Sequence, residues 1–459
     1  MHQFPDLPDS IGREDDLRYV VNCIADARCC SIVGVSNMGK SALMRALTLP
    51  EVKQAVLADA ADEHLWVYID CNRALDRSEQ GFYELILRSI RDKVIARGDM
   101  PALLTQLREN YETLIHPPTP LHVALSFNRA IEEAVLEAGF DRLVLCIDEF
   151  DPLMATLAGP VFLRLRALKD RFQNGVCYVA ATDRALWEIR SDRDAAEFSE
   201  LFAHHTRYLP PLGEAGVRRV ITRYASREGV TFSEADVAFI RAMADGHPGL
   251  VEAVCSALGH VTGPEVHDEL EDQQIHRLVR ERLESDLIVH SECSRLWDDL
   301  SEEEQEALVH LVSSVGSDVE PTDLNSLRRK HLVRYQEGGP TIFCPLFAGF
   351  TRRKRLQQLP GYGVRVDAEA GHVYVDGQRI EPLTDLEYRL LLLLYSRLDD
   401  VVDKYEIVEG VWGTAYIDEV DDGRIERLIS RLRSKVEPEP SEPRYIQTVR
   451  GRGYRLVAE

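Results

Sequence analysis

The chain has 459 residues, 45% hydrophobic and 29% charged, which are the values of folded globular domains and exclude large-scale disorder. Its formal net charge of −23 excludes wrapping of nucleic acid by the surface as a whole. The acidic first twenty residues lack a secretory pattern, and the longest strongly apolar run, Leu390 to Tyr395, is far short of a membrane span, so a cytoplasmic protein with no membrane partner is expected.

Residues 1–213 alternate short apolar runs with helical patterns. Cys30–Gly34, Leu65–Asp70, Leu143–Asp148 and Val176–Thr182 read as buried parallel strands, so this block is expected to be a doubly wound α/β domain, closed by Pro210–Pro211. Residues 214–289 turn wholly helical, as a lid and connector. Ser233 with Asp236 resembles a helix start, Gly246, Pro248 and Gly249 break the helices, and a charged helix is expected from Glu265 to Val289. Residues 290–355 have the outline of a winged helix, opening at Ser301 with Glu304 in the capping-box position. Residues 360–459 form a second winged helix. Its alternating Val364, Val366, Val373 and Val375 predict strands with turns at Gly371 and Asp376–Gly377, helical runs start at Thr384, Lys404 and Asp421, and a closing hairpin follows. The nine cysteines show no C-x-x-C spacing and read as buried free thiols.

Three elements of the first block carry chemistry. Gly34 to Ser41 (Gly-Val-Ser-Asn-Met-Gly-Lys-Ser) fits G-x-x-x-x-G-K-[ST] between a strand and a helix, where backbone N–H groups and a helix N-terminus cradle phosphates. Gly34, Asn37, Met38, Gly39, Lys40, Ser41 and Ala42 are therefore candidate nucleotide-binding residues, with Lys40 on the outer phosphates and Ser41 on Mg²⁺. Asp148-Glu149 ends a buried strand, so Asp148 is the second Mg²⁺ residue and Glu149 the base that orients the attacking water. At the end of the next strand, Thr182 or Arg184 is placed to sense the terminal phosphate, with Arg184 taken as catalytic.

With these elements in place, a resemblance becomes specific. Ile11-Gly12-Arg13-Glu14, the stretch Phe198–Leu212 with Phe202 and Leu209-Pro-Pro-Leu, and Gly246-His247-Pro248-Gly249 resemble motifs of the signal-transducing STAND ATPases and their AAA+ relatives, over residues 11 to about 350. The resemblance implies that Gly12, Arg13, His247 and Pro248 lie near the nucleotide, that ATP and ADP are the ligands, and that the first winged helix reports the state of the ATPase. No stretch resembles the family's sensing repeats, so the protein or ligand that supplies the signal is not identified.

The last block looks like the OmpR-type effector of response regulators. The resembling residues are Leu383-Thr384 with Glu387, Val401–Val402, Val411-Trp412-Gly413, Ile429 to Arg433 with Lys435, and Thr448 to Tyr454. From Arg424 to Arg455 there are nine basic and four acidic residues, a local excess of five positive charges. On the helix beginning near Asp422, Ile425, Leu428, Ile429, Leu432 and Val436 share one face; Arg424, Arg427, Arg431 and Lys435 share another, suited to a major groove. Arg450 and Arg452 fall at the wing tip, placed for phosphate or minor-groove contact. Gly423, where the family often has Arg, removes one phosphate contact.

The combined expectation is a P-loop ATPase core with a helical lid and two winged helices, forming a slow ATPase switch that transduces a signal, binds double-stranded DNA as a transcriptional or defence-associated regulator, and assembles into a nucleotide-dependent homo-oligomer. The alternatives are an oligomeric AAA+-type DNA-remodelling or transposition/loader ATPase, and an ATP-switched protein-interaction scaffold.

Overall fold

All four predicted strands of the first block are present and lie parallel in one sheet. The computed structural model describes residues 12–50, 52, 64–136, 139–261, 272–313, 321–336, 339–358, 363–367, 372–398, 400–413 and 420–457. They divide into two compact units: the described residues of Met1–Glu304 with Glu320–Gln336, and those of Gln305–Val319 with Glu337–Glu459.

In the first unit α1 (Glu14–Ala25) precedes β1 (Cys30–Val33), and the loop after β1 runs into α2 (Lys40–Ala46). β2 (His64–Asp70) is followed by three helices, α3 (Glu79–Arg97), α4 (Pro101–Ile115) and α5 (Pro120–Leu136), before β3 (Arg142–Asp148). Ser78 starts α3 by accepting from the Gly81 N–H, and Gly98, at φ +74°, ends it in the left-handed conformation. The chain continues through α6 (Asp151–Thr156), α7 (Gly159–Phe172), β4 (Val176–Thr182), α8 (Leu186–Ile189), α9 (Arg193–Ser199) and β5 (Thr206–Tyr208). The strand order is β2-β3-β4-β1-β5. Every residue of β1, β3 and β4 is buried, because helices cover both faces of the sheet, and this explains their mostly apolar runs. Val33 is level with Thr182, and Asp70 with Asp148, so the carboxyl ends of β1, β4, β3 and β2 open on one edge.

The lid comprises α10 (Glu214–Glu228), α11 (Glu234–Ala244) and α12 (Pro248–Val261). At α11, Ser233 and Asp236 form the reciprocal capping box that their spacing predicts. The charged stretch expected as one helix from Glu265 to Val289 is instead broken. Residues 265–271 lie outside the described residues, and the rest forms α13 (Asp272–Ser285) and α14 (Leu287–Asp298). The break falls at Asp286, whose carboxylate accepts from the N–H groups of Ile288 and Val289 and so starts a new helix. α15 (Glu302–Ser313), α16 (Pro321–Arg329), β6 (Val333–Gln336) and β7 (Gly339–Ile342) follow in the helix, helix, strand, strand order expected of a winged helix, and an unanticipated helix, α17 (Pro345–Gln358), comes after them; β7 and α17 belong to the second unit. At α15, Ser301 and Glu304 form the predicted capping box at 3.0 and 3.3 Å.

In the second unit β8 (Val364–Asp367), β9 (His372–Val375) and β10 (Gln378–Arg379) make an antiparallel meander. Asp376 and Gly377 turn between β9 and β10 with φ of +50° and +77°, as a two-residue hairpin turn requires; the turn expected at Gly371 lies outside the described residues. α18 (Asp385–Ser396), α19 (Lys404–Trp412) and α20 (Asp422–Val436) follow, then the hairpin β11 (Ile446–Val449) and β12 (Gly453–Leu456). Leu390, Leu394, Ile407, Val411, Ile429 and Leu432 meet in one core. All nine cysteines are buried, and none forms a disulfide. Among the described residues no helix is long and apolar enough to cross a membrane.

Candidate nucleotide site and nucleic-acid face

The loop after β1 turns back over the sheet edge through two left-handed residues, Asn37 at φ +56° and Gly39 at φ +97°. This brings Lys40, at the start of α2, across the loop it has just left. Its ammonium donates to the Gly34 carbonyl at 2.7 Å and to Asp183 Oδ1 at 2.5 Å, and the side chain is only 5% exposed. Burial works against this charge, but Asp183, Glu149 and Asp299 outweigh it and raise the Lys40 pKa.

The two acids after β3 occupy different environments. Asp148 is completely buried and accepts from the Tyr68 hydroxyl at 2.7 Å. Burial raises its pKa, opposed by the hydroxyls of Tyr68 and Ser41. Glu149 adopts φ +55°, a conformation costly to a residue with a Cβ, by on the order of 1 kcal/mol. Its Oε1 lies 3.3 Å from Ser41 Oγ. Burial also raises the Glu149 pKa, and Lys40 pulls it back down. Asp151 accepts from the Asp183 N–H at 3.0 and 3.1 Å and is pushed up to about 7 by burial and by the Asp183 charge.

The lid and connector hold the other side of the loop. His247 is fully buried; its Nδ1 accepts from the Leu250 N–H at 3.2 Å, so Nε2 carries the proton and donates to the Ser36 carbonyl at 3.0 Å. Burial lowers its pKa to about 4. Ser36 donates through its N–H and its hydroxyl to Asp299 at 2.5 and 3.1 Å, and the Asn37 amide donates to Glu292 at 2.7 Å. Arg13, buried, donates to the carbonyls of Met38 at 2.5 Å and Pro210 at 2.6 Å and pairs with Asp16 at 3.3 Å.

Some of these groups border a cavity of about 790 Å³, within the range of small-molecule sites. Of the predicted residues, Arg13, Asn37, Met38, Gly39, Lys40, Ser41, Ala42, Glu149 and Pro248 line it. Gly34 lies beneath Lys40, Asp148 behind Ser41, and His247 supports the loop from outside. Gly12 takes φ +69° to let the backbone approach α10, where a Cβ would stand 2.5 Å from the Gly216 Cα. Arg184 is half-buried and does not line the cavity; its neighbour Asp183 is the residue of this loop that meets Lys40. Thr182 Oγ1 is buried with no hydrogen-bond partner. Sequence reasoning missed Tyr68, Asp183, Glu292 and Asp299. Of these, only Asp183 had a local signal, standing between a buried strand and Arg184.

A polyphosphate with Mg²⁺ fits these residues. A helix N-terminus, a buried ammonium, a hydroxyl and two carboxylates converge where the cavity meets the sheet edge.

In the second unit the two faces of α20 separate as predicted. Ile425, Leu428, Ile429, Leu432 and Val436 are buried, while Arg424, Arg427 and Arg431 are exposed. Arg450 and Arg452 are exposed at the turn of the β11–β12 hairpin. Lys435 departs from the expected face. It donates to Glu387 Oε2 at 2.8 Å and to the Pro382 carbonyl at 3.3 Å, because the buried Glu387 that starts α18 needs a countercharge. Arg433 holds the hairpin by donating to the Ile446 carbonyl at 2.6 and 2.9 Å and to Thr448 Oγ1 at 2.8 Å.

Comparison with known proteins agrees with both halves. Residues 10–335 match the family model "Novel STAND NTPase 1", and residues 377–456 match "Transcriptional regulatory protein, C terminal". The uncharacterized transcriptional regulatory protein YrkP of Bacillus subtilis (strain 168) is 39% identical over 100 residues, 22% of this chain and 42% of that protein. This chain spans about two fifths of the length of the curated relatives it matches. Among solved structures, the DNA-binding domain of CpxR from E. coli is 31% identical, covering 21% of this chain and 90% of that one with a TM-score of 0.18. A Walker-type ATPase of Pyrococcus abyssi is 14% identical, covering 76% of this chain and 99% of that one with a TM-score of 0.47. With its Lys40 loop, its acid-tipped β3 and a model match over most of its length, the chain belongs to the Novel STAND NTPase 1 family and carries an OmpR-type regulatory domain beyond the NTPase region.

Proposed function

We propose that this protein is an ATP-switched transcription regulator of the cytoplasm that binds double-stranded DNA through its OmpR-type domain. The carrying observation is the shared ownership of the phosphate loop. Lys40, Ser41 and Glu149 of the core border the same cavity as Pro248 of the lid and Glu292 of α14. A nucleotide bound there touches core, lid and connector together, and contacts made by ATP but not by ADP give the differential affinity that a switch needs.

In this reading Lys40 and the loop amides bind the β- and γ-phosphates, and Ser41 and Asp148 hold Mg²⁺, which neutralises phosphate charge. Glu149, with its raised pKa, takes a proton from the attacking water. Arg13 and Pro248 border the nucleoside end, and His247 and Gly12 position the loop and lid. Turnover is slow, and the triphosphate form assembles into a homo-oligomer under the control of a signalling protein or ligand. Arg424, Arg427, Arg431, Arg450 and Arg452 contact DNA.

The test is a mobility-shift titration of the full chain on its own upstream promoter fragment, with ADP and with a nonhydrolysable ATP analogue. Affinity that depends on the terminal phosphate supports the switch. Equal affinity in both nucleotides removes it, and absence of duplex binding at low salt favours the scaffold.

A further inference from the structure

We propose that Asp299, together with Asp183, sets which nucleotide the site holds, by placing carboxylates where a terminal phosphate has to sit. The inference rests on the nucleotide-site reading above. Lys40 is the residue that reaches the outermost phosphate, and Ser36 belongs to the same phosphate-cradling loop. Lys40 is held there by Asp183 at 2.5 Å. The Ser36 N–H and hydroxyl, two donors of the same loop, are both held by Asp299. The two carboxylates are both part-buried and feel each other: Asp299 is pushed up to about 6 by burial and by the nearby Asp183 charge.

A diphosphate adds no charge at this position. A γ-phosphate brings negative charge beside both carboxylates, in surroundings where like charges repel more strongly than in water. The arrangement therefore favours ADP, and a triphosphate is admitted when Asp299 leaves Ser36. Asp299 directly follows α14 (Leu287–Asp298), so the exchange pulls on the helix that also supplies Glu292 to Asn37. Asp299 and Asp183 act here as specificity-determining residues.

The experiment is calorimetric titration of the full chain with ADP and with a nonhydrolysable ATP analogue, each with Mg²⁺. Wild type is compared with Asp299→Asn and Asp183→Asn, both of which keep shape and an acceptor oxygen. The expected result for Asp299→Asn is analogue binding tighter on the order of tenfold, with ADP affinity changed by less than about twofold. Asp183→Asn shifts the ratio in the same direction. Parallel shifts for the two nucleotides, or none, overturn the inference while leaving the nucleotide site standing. Thermal melts identify a variant that fails to fold, in which case the other one decides. Lack of binding of either nucleotide to wild type removes the site itself, and the inference with it.

Discussion

The Tyr68 hydroxyl donates to Asp148 Oδ2 at 2.7 Å, from the neighbouring strand of the sheet. This bond offsets part of the burial that raises the Asp148 pKa. Tyr68→Phe therefore leaves Asp148 titrating higher and holding Mg²⁺ less well. A Mg²⁺ titration of ATP turnover is expected to shift to about tenfold to a hundredfold higher concentration, the worth of one hydrogen bond to a charged group. The deficit grows as pH falls, because the protonated acid does not bind the ion. An unchanged Mg²⁺ dependence places Asp148 outside the metal site.

Lys40→Ala and Glu149→Gln separate binding from turnover. The first removes the ammonium that the loop and Asp183 enclose, and nucleotide affinity is expected to drop by more than about a hundredfold, as for loss of a buried charge-assisted contact. The second keeps affinity within a few-fold and abolishes phosphate release. Release that persists in Glu149→Gln assigns the base elsewhere.

His247 links stability to pH. Burial holds it at about 4 in the folded protein, against 6.5 for the free side chain. Between those values the unfolded chain binds a proton that the folded one refuses, so His247 makes stability fall as pH drops from 6.5 towards 4, by about 3 kcal/mol across the window. Asp151 and Asp299, with raised values of about 7 and about 6, act with the opposite sign. Comparing wild type with His247→Gln in urea melts from pH 4 to pH 7 isolates the histidine: the variant should lack this acid-side loss. Parallel curves would show that the proton is not excluded.

On α20, position along the helix face predicts two phenotypes. Arg427→Ala and Arg431→Ala should each lower the slope of log affinity against log salt by about 1, with little change in melting. Lys435→Ala should do the reverse. It strands the buried Glu387, whose pKa burial raises but Lys435 and the Thr384 groups draw down overall, and so destabilises the domain by about 1–3 kcal/mol. A salt-slope change from Lys435→Ala with an unaltered melt would return this lysine to the DNA-facing set.

The parts of the fold legible in sequence are those written locally. The β1, β3 and β4 runs are mostly apolar because both sheet faces are covered, and the capping boxes at Ser233 and Ser301 depend on residues three apart. β5 was missed because three half-buried residues carry no period. The Asp286 break was missed because an aspartate inside a charged helical pattern resembles any other surface charge. The same distinction governs the site. Lys40, Ser41 and Glu149 were found from a motif and a strand end, whereas Asp299 reaches Ser36 across 263 residues and Tyr68 reaches Asp148 across 80. Such pairs arise only once strands are ordered and helices packed. Lys435 shares its helical stripe with three exposed arginines, and only the presence of Glu387 beneath it distinguishes its role.

Arg13 has a mechanical consequence. One rigid, planar guanidinium joins the start of α1 to the Met38 carbonyl in the phosphate loop and to Pro210 in the strap ahead of α10. The flat fork cannot follow diverging partners as a lysine's swivelling tip could. Any motion that separates Pro210 from the Met38 carbonyl must either carry Arg13 with one of them or break a contact. Displacement at one end of this crosspiece is thus transmitted to the other without passing through the sheet.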